Sequence, residues 1–230
     1  MPLGEYFADI HIHPTLKTFN SGRPHPRKNL WDDFEHSLGK TNLAKFAFNN
    51  SPGLGKYSQT NFYELARGKV RVATASLYPM EKGFLQIRNI PNLVVNKKSH
   101  DEMLEIISGY SVDSIKHMRD TNNLFADLQE EYRYLFENQG KSPDKKYAYK
   151  LVNNYSELKN VLEKDDTTLA IILAIEGSHV LFDEEMNEGK LSPTQMKRKI
   201  EENIGLIKSW EVPPLSVNLS HHFYNNLCGH

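Results

Sequence analysis

The sequence predicts an α/β fold built around a mainly parallel sheet, and three features carry that reading. Residues 169–175 (Leu-Ala-Ile-Ile-Leu-Ala-Ile) are apolar without alternation, as in a parallel strand covered on both faces. Four strand-like runs are separated by stretches of helical character, the arrangement of βαβ units. Three of those four runs end in an imidazole or a carboxylate. In parallel α/β barrels, reactive groups gather at the carboxyl ends of strands.

The first run, residues 6–12, leads into His11 and His13 and is stopped by Pro14. Residues 14–60 are rich in Gly, Pro, Asn, Ser and Lys and keep no period. Such a long irregular segment after a strand reads as a loop on the active face. The second run is 70–77. Residues 113–138 place Ile115, Met118, Leu124, Leu128, Tyr132 and Leu135 near helical spacing and predict a helix. Tyr147–Val152 is a weaker strand candidate, and Ser156 precedes a short amphipathic stretch through Glu163. After the third run, 169–175, Ser192-Pro193-Thr194-Gln195 combines an N-cap Ser, a Pro at the first helical position and a Gln three after the cap. That combination starts a helix, here expected to reach about Trp210. The fourth run is 214–220.

Composition is that of a globular chain: 230 residues, 39% apolar and 25% charged, enough apolar material for a sizeable core. One domain spanning 1–230 is expected. The net charge of 28 − 29 = −1 provides no global field for nucleic acid or an anionic membrane. The longest apolar stretch, Leu169–Ile175, is too short to span a bilayer. Cys228 is the single cysteine and forms no internal disulfide. With no basic segment leading into a long apolar run near the N-terminus, a cytoplasmic location is favoured.

His11 and His13 are two apart at a strand end. Residues i and i+2 of a strand share a face, so the two imidazoles can hold one metal ion. With 10 His in 230 residues, chance alone gives about 0.4 such pairs per chain, so the rest of the chain must carry the argument. Glu176 follows the third run directly. A carboxylate there is costly to bury without a cation, and a metal ion would supply the charge; a solvated Glu at the end of its strand is the plainer alternative. His221 and His222 end the fourth run and point to opposite faces, so one of them can face a common site. Asn225 and Asn226 follow and can bind polar groups of a substrate. A lone histidine is most often a hydrogen-bonded structural residue, but His-X-His, Glu and His recurring at strand ends point to metal-assisted hydrolysis.

Four segments are similar to the membrane dipeptidase (renal dipeptidase) family of the amidohydrolase superfamily. Asp9-Ile-His11-Ile-His13 resembles its Asp-Gly-His-X-Asp motif. Leu65-Ala-Arg67-Gly68-Lys-Val70 resembles its Leu-Arg-X-Gly-X-Val segment. Ala174-Ile175-Glu176-Gly177-Ser178-His179 resembles its Ile-Glu-Gly-Gly-His motif, and Leu219-Ser220-His221-His222-Phe-Tyr-Asn225 its Leu-Thr-His-Asn-X-Asn motif. The order agrees and the likeness spans most of the chain. It implies a (β/α)8 TIM-barrel-like metallo-hydrolase with two zinc ions. His11 and His13 would bind the more buried ion and Glu176 would bridge the two. His221 would contact the substrate and stabilise the oxyanion, Asn225 would help bind it, and His179 would support the Glu176 region. A dipeptide is the implied substrate, and Arg23, Arg27 and Lys28 in the long loop are candidates to grip its carboxylate.

His13 stands where the family has Asp, which leaves one fewer anion at the metal, and Ser178 stands where it has Gly. The family's later metal-binding His and Asp residues have no counterpart before His230. A barrel of this type takes about 250 residues, so only its N-terminal part is expected here. Two other readings stay open: a metal-dependent phosphoesterase or other amidohydrolase on a similar barrel, and a non-catalytic degenerate barrel. The sequence leaves a homodimer open.

Overall fold

The computed structural model describes residues 5–22, 28–32, 60–85, 101, 104–105, 108–121, 123–182 and 191–220. In chain order the described elements are β1 (Phe7–Ile12), α1 (Thr15–Thr18), α2 (Phe62–Arg67), β2 (Val70–Leu77), α3 (Lys82–Leu85), α4 (Val112–Asp120), α5 (Leu124–Glu137), β3 (Gly140–Lys141), β4 (Ala148–Val152), α6 (Tyr155–Lys164), β5 (Thr168–Glu176), α7 (Pro193–Lys208) and β6 (Ser216–Asn218), with 3-10 turns at Phe19–Ser21 and Ser178–Leu181. The chain divides into two compact units: Met1–His13, Phe62–Pro79 and Thr121–His230 form one, Pro14–Asn61 and Met80–Asp120 the other.

The first unit holds the sheet. The four strand-like runs and the weak candidate at 147–152 all form strands. β1, β2, β5 and β6 run parallel and are neighbours in that order. β2 occupies one edge of β5 over Ala170–Ile175. The other edge is therefore shared: β4 takes Thr168–Ile172 and β6 takes Ala174–Glu176. β3 adds a short antiparallel pairing to β4. The sheet is α/β as expected but not closed, with β1 at its edge.

Helices lie on both faces. Ala73, Ala75, Leu77, Leu169, Ile171, Leu173 and Ile175 alternate onto one face and are buried. There α5 buries Leu124, Phe125, Leu128 and Leu135, the Tyr149 hydroxyl donates to the Leu135 carbonyl at 2.7 Å, and Phe62 of α2 packs on the Tyr149 ring. The opposite face carries Ala170, Ile172, Ala174 and Glu176. Toward its amino end, α6 covers it through Val161, which clusters with Val152 and Ala170. A barrel wall keeps its helices on one side; in this sheet, α6 stands on the side of Glu176.

Local hydrogen bonding explains where helices start. The capping box at Ser192 and Gln195 forms as expected, and α7 runs to Lys208. The helix expected over 113–138 is two helices. The Asn123 side chain accepts from Ala126 N–H at 3.0 Å and its own N–H donates to Thr121 Oγ1 at 3.2 Å; these side-chain bonds compete with the helical ladder and restart it. Asn154, rather than Ser156, caps α6, accepting from Glu157 N–H at 2.9 Å. At the end of α7, Trp210 stacks on Tyr132 of α5 with ring centroids 4.0 Å apart.

In the second unit, Leu85, Leu104, Tyr110, Ile115 and Met118 form an apolar cluster with Leu16 and Met80 packed against it. Arg119 pairs with the buried Asp101 at 2.7 Å.

Arg71 clamps the amino end of the sheet. It is buried and donates to the Thr168 carbonyl at 3.1 Å and to the Asp165 carbonyl. It also pairs with Asp166 at 3.1 Å, whose side chain is 99% exposed. An exposed partner adds little, whereas orphaned buried carbonyls are expensive. Arg71→Ala should therefore cost about 2–3 kcal/mol and Asp166→Ala less than about 0.5 kcal/mol, read from urea midpoints. Equal losses would show that the ion pair, not the carbonyl clamp, matters. Asp165 in the same turn is pushed up by burial, but hydrogen bonds from Thr167 and Thr168 outweigh this and hold its carboxyl below the ordinary range. A carboxyl lowered on folding adds stability above its unfolded pKa and loses it below. Asp165→Asn should thus flatten the loss of stability below about pH 4, followed by thermal melts across that range.

Candidate metal centre

The three candidate ligands come from two strand ends. Glu176 is the last residue of β5, and His11 and His13 lie at the end of β1. The pairing of β1 with β2 is irregular at two places that cancel: Phe7 pairs with Val70 and Ala8 with Val72, while Asp9 pairs with Ala73 and Ile12 with Ala75. From Phe7 to Ile12 both strands advance five residues, so alternation leaves Ile12 on the buried Ala75 face and His11 and His13 on the Glu176 face. Within the second irregularity the Asp9 side chain accepts the His11 N–H at 3.1 Å.

Three ligand atoms converge. His11 Nε2 and His13 Nε2 are 3.1 Å apart, and they lie 3.3 and 2.8 Å from Glu176 Oε2. A tetrahedral site with bonds of about 2.0–2.1 Å has edges of about 3.3 Å, and an octahedral site with similar bonds has edges of about 2.9 Å. The triangle spans both, so donor type must decide. Two imidazoles and one carboxylate suit zinc and its transition-metal neighbours better than magnesium or calcium. Glu176 is 8% exposed, a position in which a carboxylate needs a compensating positive charge.

Ser76 orients the two histidine rings. His13 Nδ1 lies 3.0 Å from the Ser76 carbonyl; a carbonyl only accepts, so Nδ1 carries a proton, and Nε2 is the nitrogen that would bind a metal ion. The Ser76 hydroxyl lies 3.2 Å from His11 Nδ1 and can accept from it in the same way. Outer partners of this kind orient metal-binding histidines. Sequence reasoning missed Ser76. The available signal was the 70–77 strand itself, whose last residues must stand level with Glu176 if the strands are parallel.

The turns around the triangle are built from hydrogen bonds. Gly177 adopts φ 91°, a conformation that favours glycine, and lets the chain leave β5 sharply. The Ser178 hydroxyl then donates to the Leu219 carbonyl at 2.6 Å, tying the end of β5 to the segment after β6. His179 is buried, and its Nε2 donates to the Pro79 carbonyl at 2.9 Å, which keeps it out of the triangle. Asn218 pairs with Glu176 in register and is exposed beside it, another residue the sequence did not single out.

His11, His13 and Glu176 are the group of His, Cys, Asp or Glu residues able to hold a metal ion among the described residues. His221, His222, Asn225 and Asn226 lie outside the described residues, as do Arg23, Arg27 and Cys228. Lys28 belongs to the other unit, where its N–H donates to Ser21 Oγ at 3.1 Å. No described helix is long and apolar enough to cross a membrane. No protein-family model, curated protein or solved structure matches the chain.

Removal of the Ser76 hydroxyl should release the His11 ring without touching a ligand. Ser76→Ala is expected to weaken zinc binding about tenfold, the lower end for outer-shell changes, in a competition titration with a zinc-binding dye. Unchanged affinity would show that Ser76 does not orient His11.

Proposed function

We propose that this chain is a metal-dependent hydrolase of the amidohydrolase type, with zinc as its metal and dipeptides or related small amides as its substrates. The observation that supports this most is the triangle of His11, His13 and Glu176 at the carboxyl ends of parallel strands, where open and closed α/β sheets alike place their chemistry. The order β1, β2, β5, β6 is also what the first four strands of a (β/α)8 barrel would give. On that reading, residues 140–164 are an insertion that adds β3, β4 and α6 before the third barrel strand.

His11, His13 and Glu176 would hold the zinc. Bound zinc supplies Lewis acidity and makes hydroxide available near neutral pH. His221 stabilises the negative charge that develops on the substrate carbonyl oxygen, and Asn225 helps to bind the substrate. The His13 imidazole, in place of a family aspartate, leaves the ligand set one negative charge lighter.

The test is hydrolysis of a panel of simple dipeptides by the zinc-loaded chain, with and without chelator. Cleavage that a chelator abolishes and zinc restores is expected, and Glu176→Gln should lower both zinc content and activity by about a hundredfold or more, at least as much as the outer-shell changes seen at such sites. Hydrolysis of a phosphate monoester with no dipeptide cleaved would move the function to phosphoester chemistry. Bound zinc with neither activity would make the site structural, and a failure to bind zinc would overturn the proposal.

A further inference from the structure

We infer that Glu131 and His179 are positioning residues for the metal centre, acting on His13 through the Tyr78–Pro79 turn. The inference rests on the metal-binding reading of the site. Glu131 is on α5 and is 3% exposed. Its carboxylate accepts the Tyr78 N–H at 2.9 Å. His179 Nε2 donates to the Pro79 carbonyl at 2.9 Å. The two bonds fasten the opposite ends of one dipeptide, and the proline ring already fixes φ between them.

What they fasten touches the site. The Tyr78 ring is buried between two imidazoles, 5.9 Å from His13 and 5.6 Å from His179 between ring centroids. Two residues earlier, the Ser76 carbonyl takes the His13 Nδ1 proton. The His13 ring is therefore held at Nδ1 and against the Tyr78 ring, and both holds lie on the segment 76–79. His179 follows Glu176 by three residues, so its bond also locks the ends of β2 and β5 to each other. A metal site loses affinity when its supporting groups let a ligand ring turn.

The bonds to the Tyr78 N–H and the Pro79 carbonyl require an acceptor at 131 and an N–H donor at 179. Glu131→Gln and His179→Gln preserve them, whereas Glu131→Leu and His179→Leu remove them. Cobalt(II) binding to the full chain is the probe, read by its visible absorption. The leucine variants should bind about tenfold more weakly with an altered band, and the glutamine variants within about twofold of the parent. Arg71→Ala, at the far end of β2, is the control for lost stability and should leave the band unchanged. Leucine variants that lose no more affinity than Arg71→Ala would overturn the inference. The metal-free chain gives an independent reading from histidine 15N–1H spectra. His13 should show one hydrogen-bonded Nδ1–H signal in the parent and the glutamine variants and a shifted or exchange-broadened one in the leucine variants; a His13 signal indifferent to all four would overturn the inference. A parent chain that binds no cobalt yet shows this Nδ1–H pattern would sink the metal reading and leave the hold on His13 standing.

Discussion

The register of β1 on β2 governs the site. Strand alternation allows only two outcomes for a side chain, and a single-residue offset exchanges them for every residue that follows. Two irregularities in this pairing cancel, so Phe7 stands by Val70 and Ile12 by Ala75. Ile12 is therefore buried, and both imidazoles reach the Glu176 carboxylate on the other face. The regular register of β2 with β5 does the rest. It stands Ser76 beside Ala174, one alternation before Glu176, so that one serine can serve both histidines.

Electrostatics then restricts what the triangle can hold. A carboxylate this buried costs several kcal/mol unless something positive offsets it. The Ser76 carbonyl holds the His13 Nδ1 proton away from the carboxylate and turns Nε2 toward it. What stands between Nε2 and Oε2 must then be positive, either a proton on the ring or a metal ion, and a metal ion among the three atoms satisfies all of them at once. The surrounding turns do not depend on the cation. Ser178, His179 and Glu131 fix the strand ends by hydrogen bonds of their own, and Gly177 by its positive φ.

Much of this was legible in the sequence, for physical reasons. The continuous apolar run of 169–175 could only be a covered strand, and Glu176 at its end could only be solvated or compensated. The capping box at Ser192 carries its own start signal. What could not be read was set by non-local or competing local bonds. The register of β1 depends on its pairing with β2, and no pattern within residues 6–13 reveals a partner. The break at Asn123 and the cap at Asn154 come from short polar side chains outcompeting helical periodicity. β4 and α6 place a helix on the Glu176 face, which a strand count suited to a barrel does not anticipate. Ser76 is 65 residues from His11 in sequence and Glu131 is 53 from Tyr78, contacts that only the assembled sheet and α5 create.

The central claim is that His11, His13 and Glu176 together ligate a metal ion. X-ray absorption at the zinc edge of the chain loaded with one equivalent of zinc tests it most directly. The account predicts a nitrogen and oxygen shell at about 2.0–2.1 Å with the outer-shell scattering of two imidazoles, one of which disappears in His13→Ala. A spectrum without imidazole scattering, or one unchanged by that substitution, would contradict it.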